Sequence, residues 1–152
     1  MALTCSSSAE PEGCPTPEAG SKQGDVLGGV RRDARLTVLY PCYLPQAEEL
    51  LSGTVTGTAG RQRAELVFGG PFDLTIRQSQ YPPAVSADPA GASQVDIDLF
   101  PNVRATLIEI NDGSRKALYH VLWSKDNLFY EVQAVGPPLQ RSTVLQVARS
   151  LQ

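Results

Sequence analysis

The sequence has no run of about 20 apolar residues, the length that a helix needs to cross a bilayer. It contains a single histidine, which does not favour a zinc site. Its basic residues are scattered, and only Arg31-Arg32 and Arg115-Lys116 are adjacent. Binding to nucleic-acid phosphates needs clustered positive charge. We therefore expect a chain that neither spans a membrane nor binds nucleic acid.

Familiar catalytic motifs are also lacking. No serine lies in a Gly-x-Ser-x-Gly setting, and no Gly-x-x-x-x-Gly-Lys segment could cradle phosphate. The sequence has 152 residues, of which 41% are hydrophobic and 19% charged, and its formal net charge is −3. These values are typical of one soluble folded domain. They give no support to a hydrolase or a nucleotide-binding protein, and we expect no cofactor.

Residues 1–34 differ in composition from the rest. Serines, prolines, glycines and acids occur there without apolar periodicity, and such a segment cannot bury enough surface to offset its ordering entropy. We predict a disordered or extended tether over residues 1–34, followed by a single α+β domain over residues 35–152.

The three cysteines are Cys5, Cys14 and Cys42. A Cys14–Cys42 disulfide would fasten the tether to the domain and leave Cys5 unpaired. Cys5–Cys14 pairing and free thiols are the alternatives. Cys5 is also a lipidation candidate, because Ala2-Leu3-Thr4-Cys5 resembles the end of a bacterial lipoprotein signal. A lipid anchor at Cys5 would be the chain's one contact with the membrane.

Hydrophobic alternation predicts an antiparallel meander of about six to eight strands. The clearest strand is 94–99, where Val95, Ile97 and Leu99 alternate with Asp96 and Asp98. Gly69-Gly70-Pro71 separates the two arms of a predicted hairpin. The predicted strands are 36–40, 54–58, 63–68, 72–78, 94–99, 104–110, 116–123 and 128–135, with turns at 111–114 and 124–127 and a loop at 81–91.

Two helices complete the predicted domain. Residues 46–51 follow Pro45 and favour a short connecting helix. Residues 142–151 favour a C-terminal helix with Ser142 as its N-cap. An apolar stripe should bury that helix on one sheet face; it consists of Val144, Leu145, Ala148 and Leu151.

Four motifs in order resemble a bacterial domain of unknown function. They are Tyr40-Pro41-Cys42-Tyr43-Leu44-Pro45, Leu74-Thr75-Ile76-Arg77-Gln78, the segment from Leu122-Trp123 to Tyr130-Glu131-Val132, and Val147-Ala148-Arg149-Ser150-Leu151. The domain occurs in extracytoplasmic parts of anti-sigma-factor-like proteins and lipoproteins. The resemblance spans residues 36–151 and implies an α+β fold in the cell envelope. It does not extend to sigma-factor regulation, because the Gly-Tyr pair after "Y-L-P" and the zinc-binding anti-sigma region are missing.

Few residues are candidates for a site. Trp123, Tyr130 and Tyr81 could contribute to a ligand pocket, together with Phe72 and Phe129, although Trp123 and Tyr130 could instead be core residues under the last helix. Asp96 and Asp98 could hold a metal ion but are more typical of a wet strand face.

His120 lies between apolar neighbours and is more typical of a half-buried structural histidine than of a catalytic base. We expect a non-catalytic, extracytoplasmic binding or scaffolding domain with a protein partner or an apolar ligand. The alternatives are a lipid carrier with a cavity between sheet and helices, and a metal-dependent enzyme. Function is expected in the 81–91 loop or on the opposite sheet face.

Overall fold

The computed structural model describes residues 14–84, 92–110, 117–136 and 139–151. Within them, seven antiparallel strands form one sheet, flanked by two helices. The helices are α1 (Lys22–Asp33) and α2 (Arg141–Arg149). The strands are β1 (Glu49–Thr56), β2 (Arg63–Gly69), β3 (Asp73–Ser79), β4 (Ala92–Phe100), β5 (Val103–Ile110), β6 (Ala117–Lys125) and β7 (Leu128–Gly136). The predicted α+β class is confirmed.

The strand order is β1-β2-β3-β7-β6-β5-β4. Two local meanders, β1–β3 and β4–β7, therefore meet where β3 pairs with β7 at the middle of the sheet. The connection from β3 to β4 carries the chain to the far edge before it returns strand by strand. Strands β1 and β4 are the edges of the sheet.

Alternation along the strands separates a core face from an opposite face. On the core face, Leu66, Ile76, Val132, Val121 and Leu107 are aligned across five neighbouring strands and are fully buried. At the β4 edge the same row ends in Val95, which is 39% exposed. The face of β4 that carries Val95, Ile97 and Leu99 was predicted to be buried, but it is fully buried only at Leu99.

The segment predicted as a tether contains a helix, so the prediction is wrong for α1. Ser21 caps α1 by accepting a hydrogen bond from the Gly24 amide, and the buried side chains Leu27 and Val30 face β1. A Cβ on Gly53 in β1 would overlap the Val30 side chain, so the helix packs close to the strand. The prediction failed because three glycines in the helix hid its apolar stripe.

Residues 36–40 do not form the predicted strand. Their backbone is irregular, and Leu39 hydrogen-bonds to the buried side chain of Gln78 rather than to a neighbouring strand. Gln78 Oε1 accepts from the Leu39 amide at 3.0 Å, and Gln78 Nε2 donates to the Leu39 carbonyl at 3.3 Å. A single β-bridge joins Pro41 to Leu151. The segment therefore lies on the core face without extending the sheet.

Two helix predictions need correction. The predicted helix at 46–51 is wrong, because a turn at residues 46–47 leads directly into β1. The C-terminal helix is confirmed, but its N-cap is Gln140 and Ser142 lies inside the first turn. Val147, rather than Leu145, completes its buried stripe, since Leu145 is only partly buried.

A disulfide joins Cys14 to Cys42, the first of the pairings that the sequence allowed. Because Cys14 is occupied, Cys5–Cys14 pairing is ruled out in this structure. Cys5 itself, the 111–114 turn and most of the 81–91 loop lie outside the described residues. No helix in the described part of the chain has the length and apolar character needed to cross a bilayer.

Candidate ligand-binding cavity

A cavity of about 610 Å³ lies at one end of the sheet, on the core face. This volume is within the range of small-molecule sites. Its apolar lining consists of Leu39, Phe100, Trp123, Leu128, Tyr130 and Leu151. Its polar lining consists of Thr37, Lys125, Asp126 and Arg149. Because Lys125, Asp126 and Arg149 are exposed, the cavity opens to solvent.

The β6–β7 hairpin positions most of this lining. Asp126 and Asn127 both have positive φ, 53° and 64°, as a two-residue type I′ turn requires. This turn sets Lys125 opposite Leu128 and Trp123 opposite Tyr130. The predicted reversal at 124–127 is thereby confirmed, and it brings five lining residues together within the eight positions from Trp123 to Tyr130.

Trp123 and Tyr130 form the inner wall. Their rings stack with centroids 5.3 Å apart and an interplanar angle of 11°. Each residue is only 7% exposed. They therefore belong to the core and also line the cavity.

The phenol of Tyr130 stays protonated at neutral pH. Burial raises the pKa of Tyr130, and the nearby negative charge of Asp126 raises that pKa further. The hydroxyl is therefore a neutral hydrogen-bonding group in the cavity, suited to orienting a ligand rather than to attacking one.

Helix α2 and the end of β4 close the other side. Arg149, in the last turn of α2, donates from Nε to the Leu99 carbonyl at 2.9 Å and from Nη2 to the Asp98 carbonyl at 3.2 Å. Lys125 Nζ lies 5.9 Å from the centroid of the Phe100 ring, within range of a cation–π interaction. Both cations are thus fixed at the rim.

The other aromatic candidates lie elsewhere. Tyr81 faces Arg61, whose Cζ is 5.6 Å from the centroid of its ring, and does not line the cavity. Phe129 belongs to the opposite face because successive residues of a strand alternate. Phe72 precedes β3 and is partly buried against the core.

The acidic pair on β4 shows no metal-binding geometry. Asp96 accepts a hydrogen bond from Thr106 at 3.4 Å, and Asp98 lies 3.8 Å from Arg104. Among the residues that the structure describes, no three His, Cys, Asp or Glu side chains come together to hold a metal ion.

His120 belongs to a polar network on the opposite face of the sheet. Its Nε2 donates to Oε1 of Glu131 at 3.0 Å. Arg63 lies 3.8 Å from the other oxygen of Glu131. Arg77 donates to Glu65 at 2.7 Å and to Gln133 at 3.1 Å. The network lies across the sheet from the cavity, so His120 cannot act on a ligand held there.

Glu131 is 5% exposed, and its surroundings keep it ionised. Burial alone would raise the pKa of Glu131. The hydrogen bond from His120 and the positive charges of His120, Arg77 and Arg63 outweigh burial and hold that pKa below the ordinary value. The charges in the network compensate one another, as buried ionic groups require.

Several lining residues were missed from the sequence. Leu39, Phe100, Arg149 and Leu151 come from three separate parts of the chain, and no local pattern links them. The pairing of Trp123 with Tyr130 could have been predicted, because a two-residue turn at 126–127 fixes that register.

No protein-family model matches the sequence, and no curated protein matches it either. The function is therefore inferred from the geometry of the chain itself.

Proposed function

We propose that the protein is a non-catalytic, extracytoplasmic binding domain that holds a small, partly apolar ligand in the cavity beside Trp123 and Tyr130. The observation that carries this proposal is the cavity wall of stacked aromatic rings, held by the β6–β7 turn and faced by α2. Apolar walls with a few fixed polar groups are typical of ligand sites. A lipid carrier, the alternative, would use the same cavity for an acyl chain.

The disulfide supports the proposed location. Disulfides persist in oxidising compartments and are rare in the cytosol, so Cys14–Cys42 is compatible with the cell envelope or secretion. We further propose a lipid anchor at Cys5, on the sequence pattern that precedes it. The intact mass of the natural protein tests this, since an unmodified Cys5 would rule the anchor out.

Blocking the cavity tests the binding function. We expect Leu128→Glu to weaken binding of the apolar dye 1-N-phenylnaphthylamine by about tenfold, because a charge on the apolar cavity wall opposes apolar contact. Leu51→Glu is the matched control, since Leu51 is 56% exposed on edge strand β1 and lies outside the cavity. Dye fluorescence gives the affinity, and thermal unfolding confirms that both variants are folded.

Two results would count against the proposal. The first is equal affinity of the dye for Leu128→Glu and for the unaltered protein. The second is that no member of a panel of apolar probes binds the protein. The second result would favour the scaffolding role, in which the domain contacts a protein partner.

A further inference from the structure

The rim of the cavity is positively charged although the chain as a whole is acidic. The sequence has 13 basic and 16 acidic residues, yet Lys125 and Arg149 face a single acidic side chain, Asp126, around the opening. The lining of the cavity therefore carries positive charge, opposite in sign to the net charge of the chain.

Among the residues that the structure describes, neither cation forms an ion pair with a carboxylate. Arg149 donates hydrogen bonds from Nε and Nη2 to backbone carbonyls, and Lys125 lies over the Phe100 ring. Within the described ranges, no carboxylate oxygen lies within 4 Å of either cation. The side chain of Asp98, whose backbone carbonyl accepts from Arg149, lies 3.8 Å from Arg104. Both cations can therefore interact with an added anion.

The apolar and the cationic lining residues lie at different depths of the cavity. The stacked pair Trp123 and Tyr130 is buried at the inner end, whereas Lys125 and Arg149 are exposed at the rim. A ligand that fills this space places its apolar part inside and its polar part at the rim, on the side of the cavity that carries the two cations. A carboxylate there would gain charge-assisted hydrogen bonds, whereas an ammonium would be repelled.

We propose that the ligand is an anionic amphiphile, a carboxylate or phosphate ester joined to a short apolar or aromatic group. This inference rests on the proposed binding function and adds the charge of the ligand. Lys125 and Arg149 select the anion, and the wall of Trp123 and Tyr130 takes the apolar part. Asp126 opposes the anion and limits its affinity.

Three ligands with the same eight-carbon tail test this. Octanoate, octanol and octylammonium differ in head-group charge, and their affinities can be measured by displacement of 1-N-phenylnaphthylamine. Trp123 is the chain's single tryptophan, so its fluorescence reports directly on the cavity wall. We expect octanoate to bind about 3- to 10-fold more tightly than octanol and octylammonium to bind most weakly. Added salt should weaken octanoate alone.

Variants assign the effect to the rim. Lys125→Gln should reduce the preference for octanoate over octanol about threefold or more. Asp126→Asn should strengthen octanoate binding. Arg104→Gln is the control, because Arg104 is an exposed cation outside this cavity. Arg149→Gln is a second test, checked by circular dichroism because Arg149 also holds the end of β4.

Equal affinity for octanoate and octanol, or a preference for octylammonium, would overturn the inference about charge while leaving the binding function in place. Failure of all three ligands to displace the dye or to change Trp123 fluorescence would overturn both. An octanoate preference that survives Lys125→Gln and a folded Arg149→Gln would also overturn the assignment to these cations.

Discussion

Glu131 and Glu48 are both buried carboxyl groups, and their surroundings shift their pKa values in opposite directions. Glu131 is surrounded by positive charge, and its pKa is lowered. Glu48 accepts one hydrogen bond, from the Phe72 amide at 2.8 Å, and its Oε2 has no hydrogen-bond partner within the described chain. Burial raises the pKa of Glu48, opposed by that hydrogen bond, and the charge of Asp73 adds to the increase.

Replacing Glu131 should lower stability in a pH-dependent way. Glu131→Gln removes an ionised partner of His120 and Arg63, and we expect the free energy of unfolding at pH 7 to fall by about 1–3 kcal/mol. A lowered pKa contributes stability that is present above the ordinary glutamate pKa and is lost as pH falls through the folded-state value. The difference between variant and unaltered protein should therefore shrink below about pH 4.5. Urea denaturation at several pH values measures it.

Glu48→Gln provides a control of opposite sign. A raised pKa gives stability that is fully present at low pH and is lost as pH rises through the folded-state value. The glutamine carbonyl can still accept from Phe72, so the variant should match or exceed the unaltered protein at pH 7 and lose the advantage in acid. Parallel pH profiles for the two variants would contradict this account of both residues.

Strands were more predictable than helices in this chain. Strands β2 to β7 follow from alternating residue patterns and turn residues, although β4 is buried only towards Leu99. Helix α1 was missed, although Ser21 and the spacing of Val26, Leu27 and Val30 are helix signals. Residues 36–40 have strand composition, yet the backbone of Leu39 bonds to the side chain of Gln78, which no local rule anticipates.

The buried stripe of α2 gives a prediction for an element. Val147→Ala should lower the free energy of unfolding by about 2–3 kcal/mol, because Val147 is 1% exposed and two methyl groups leave the core. Leu145→Ala removes more atoms but should cost less, below about 1.5 kcal/mol, because Leu145 is only partly buried. Chemical denaturation of both variants measures the order. A larger effect at Leu145 would show that α2 is rotated from the position described.

Strand order and cavity are properties of the whole molecule. Alternation predicts that strands exist but not that β3 pairs with β7, since Ser79 and Phe129 are far apart in sequence. The cavity likewise combines β6, β7, α2, the end of β4 and residues 37–39. Trp123 and Tyr130 share one hairpin and are recognisable from the sequence, whereas the lining residues outside that hairpin reach the cavity only through the fold.

The disulfide is expected to stabilise the whole domain. Cys14 and Cys42 are 28 residues apart, and the loop they close contains α1. Closing a loop of this length restricts the unfolded chain by about 3–4 kcal/mol. In a Cys5→Ser background, which avoids exchange with the third thiol, Cys14→Ser/Cys42→Ser should lower the free energy of unfolding by about 2–4 kcal/mol.

Reductant supplies the check on that prediction. Dithiothreitol should lower the stability of the Cys5→Ser protein to about that of the triple variant Cys5→Ser/Cys14→Ser/Cys42→Ser. It should leave the stability of the triple variant unchanged. If the triple variant unfolds at the same urea concentration as the Cys5→Ser protein, the bridge contributes nothing to the stability of the domain.

The β6–β7 hairpin contains exposed residues that can be replaced and buried residues that the core requires. Lys125 is exposed, so replacing it changes stability little, and Asp126, which has positive φ, can become Asn or Gly at little cost, whereas Trp123 and Tyr130 are held by the core. Natural selection can therefore alter the charge at the mouth of the cavity through two adjacent codons without disturbing the sheet.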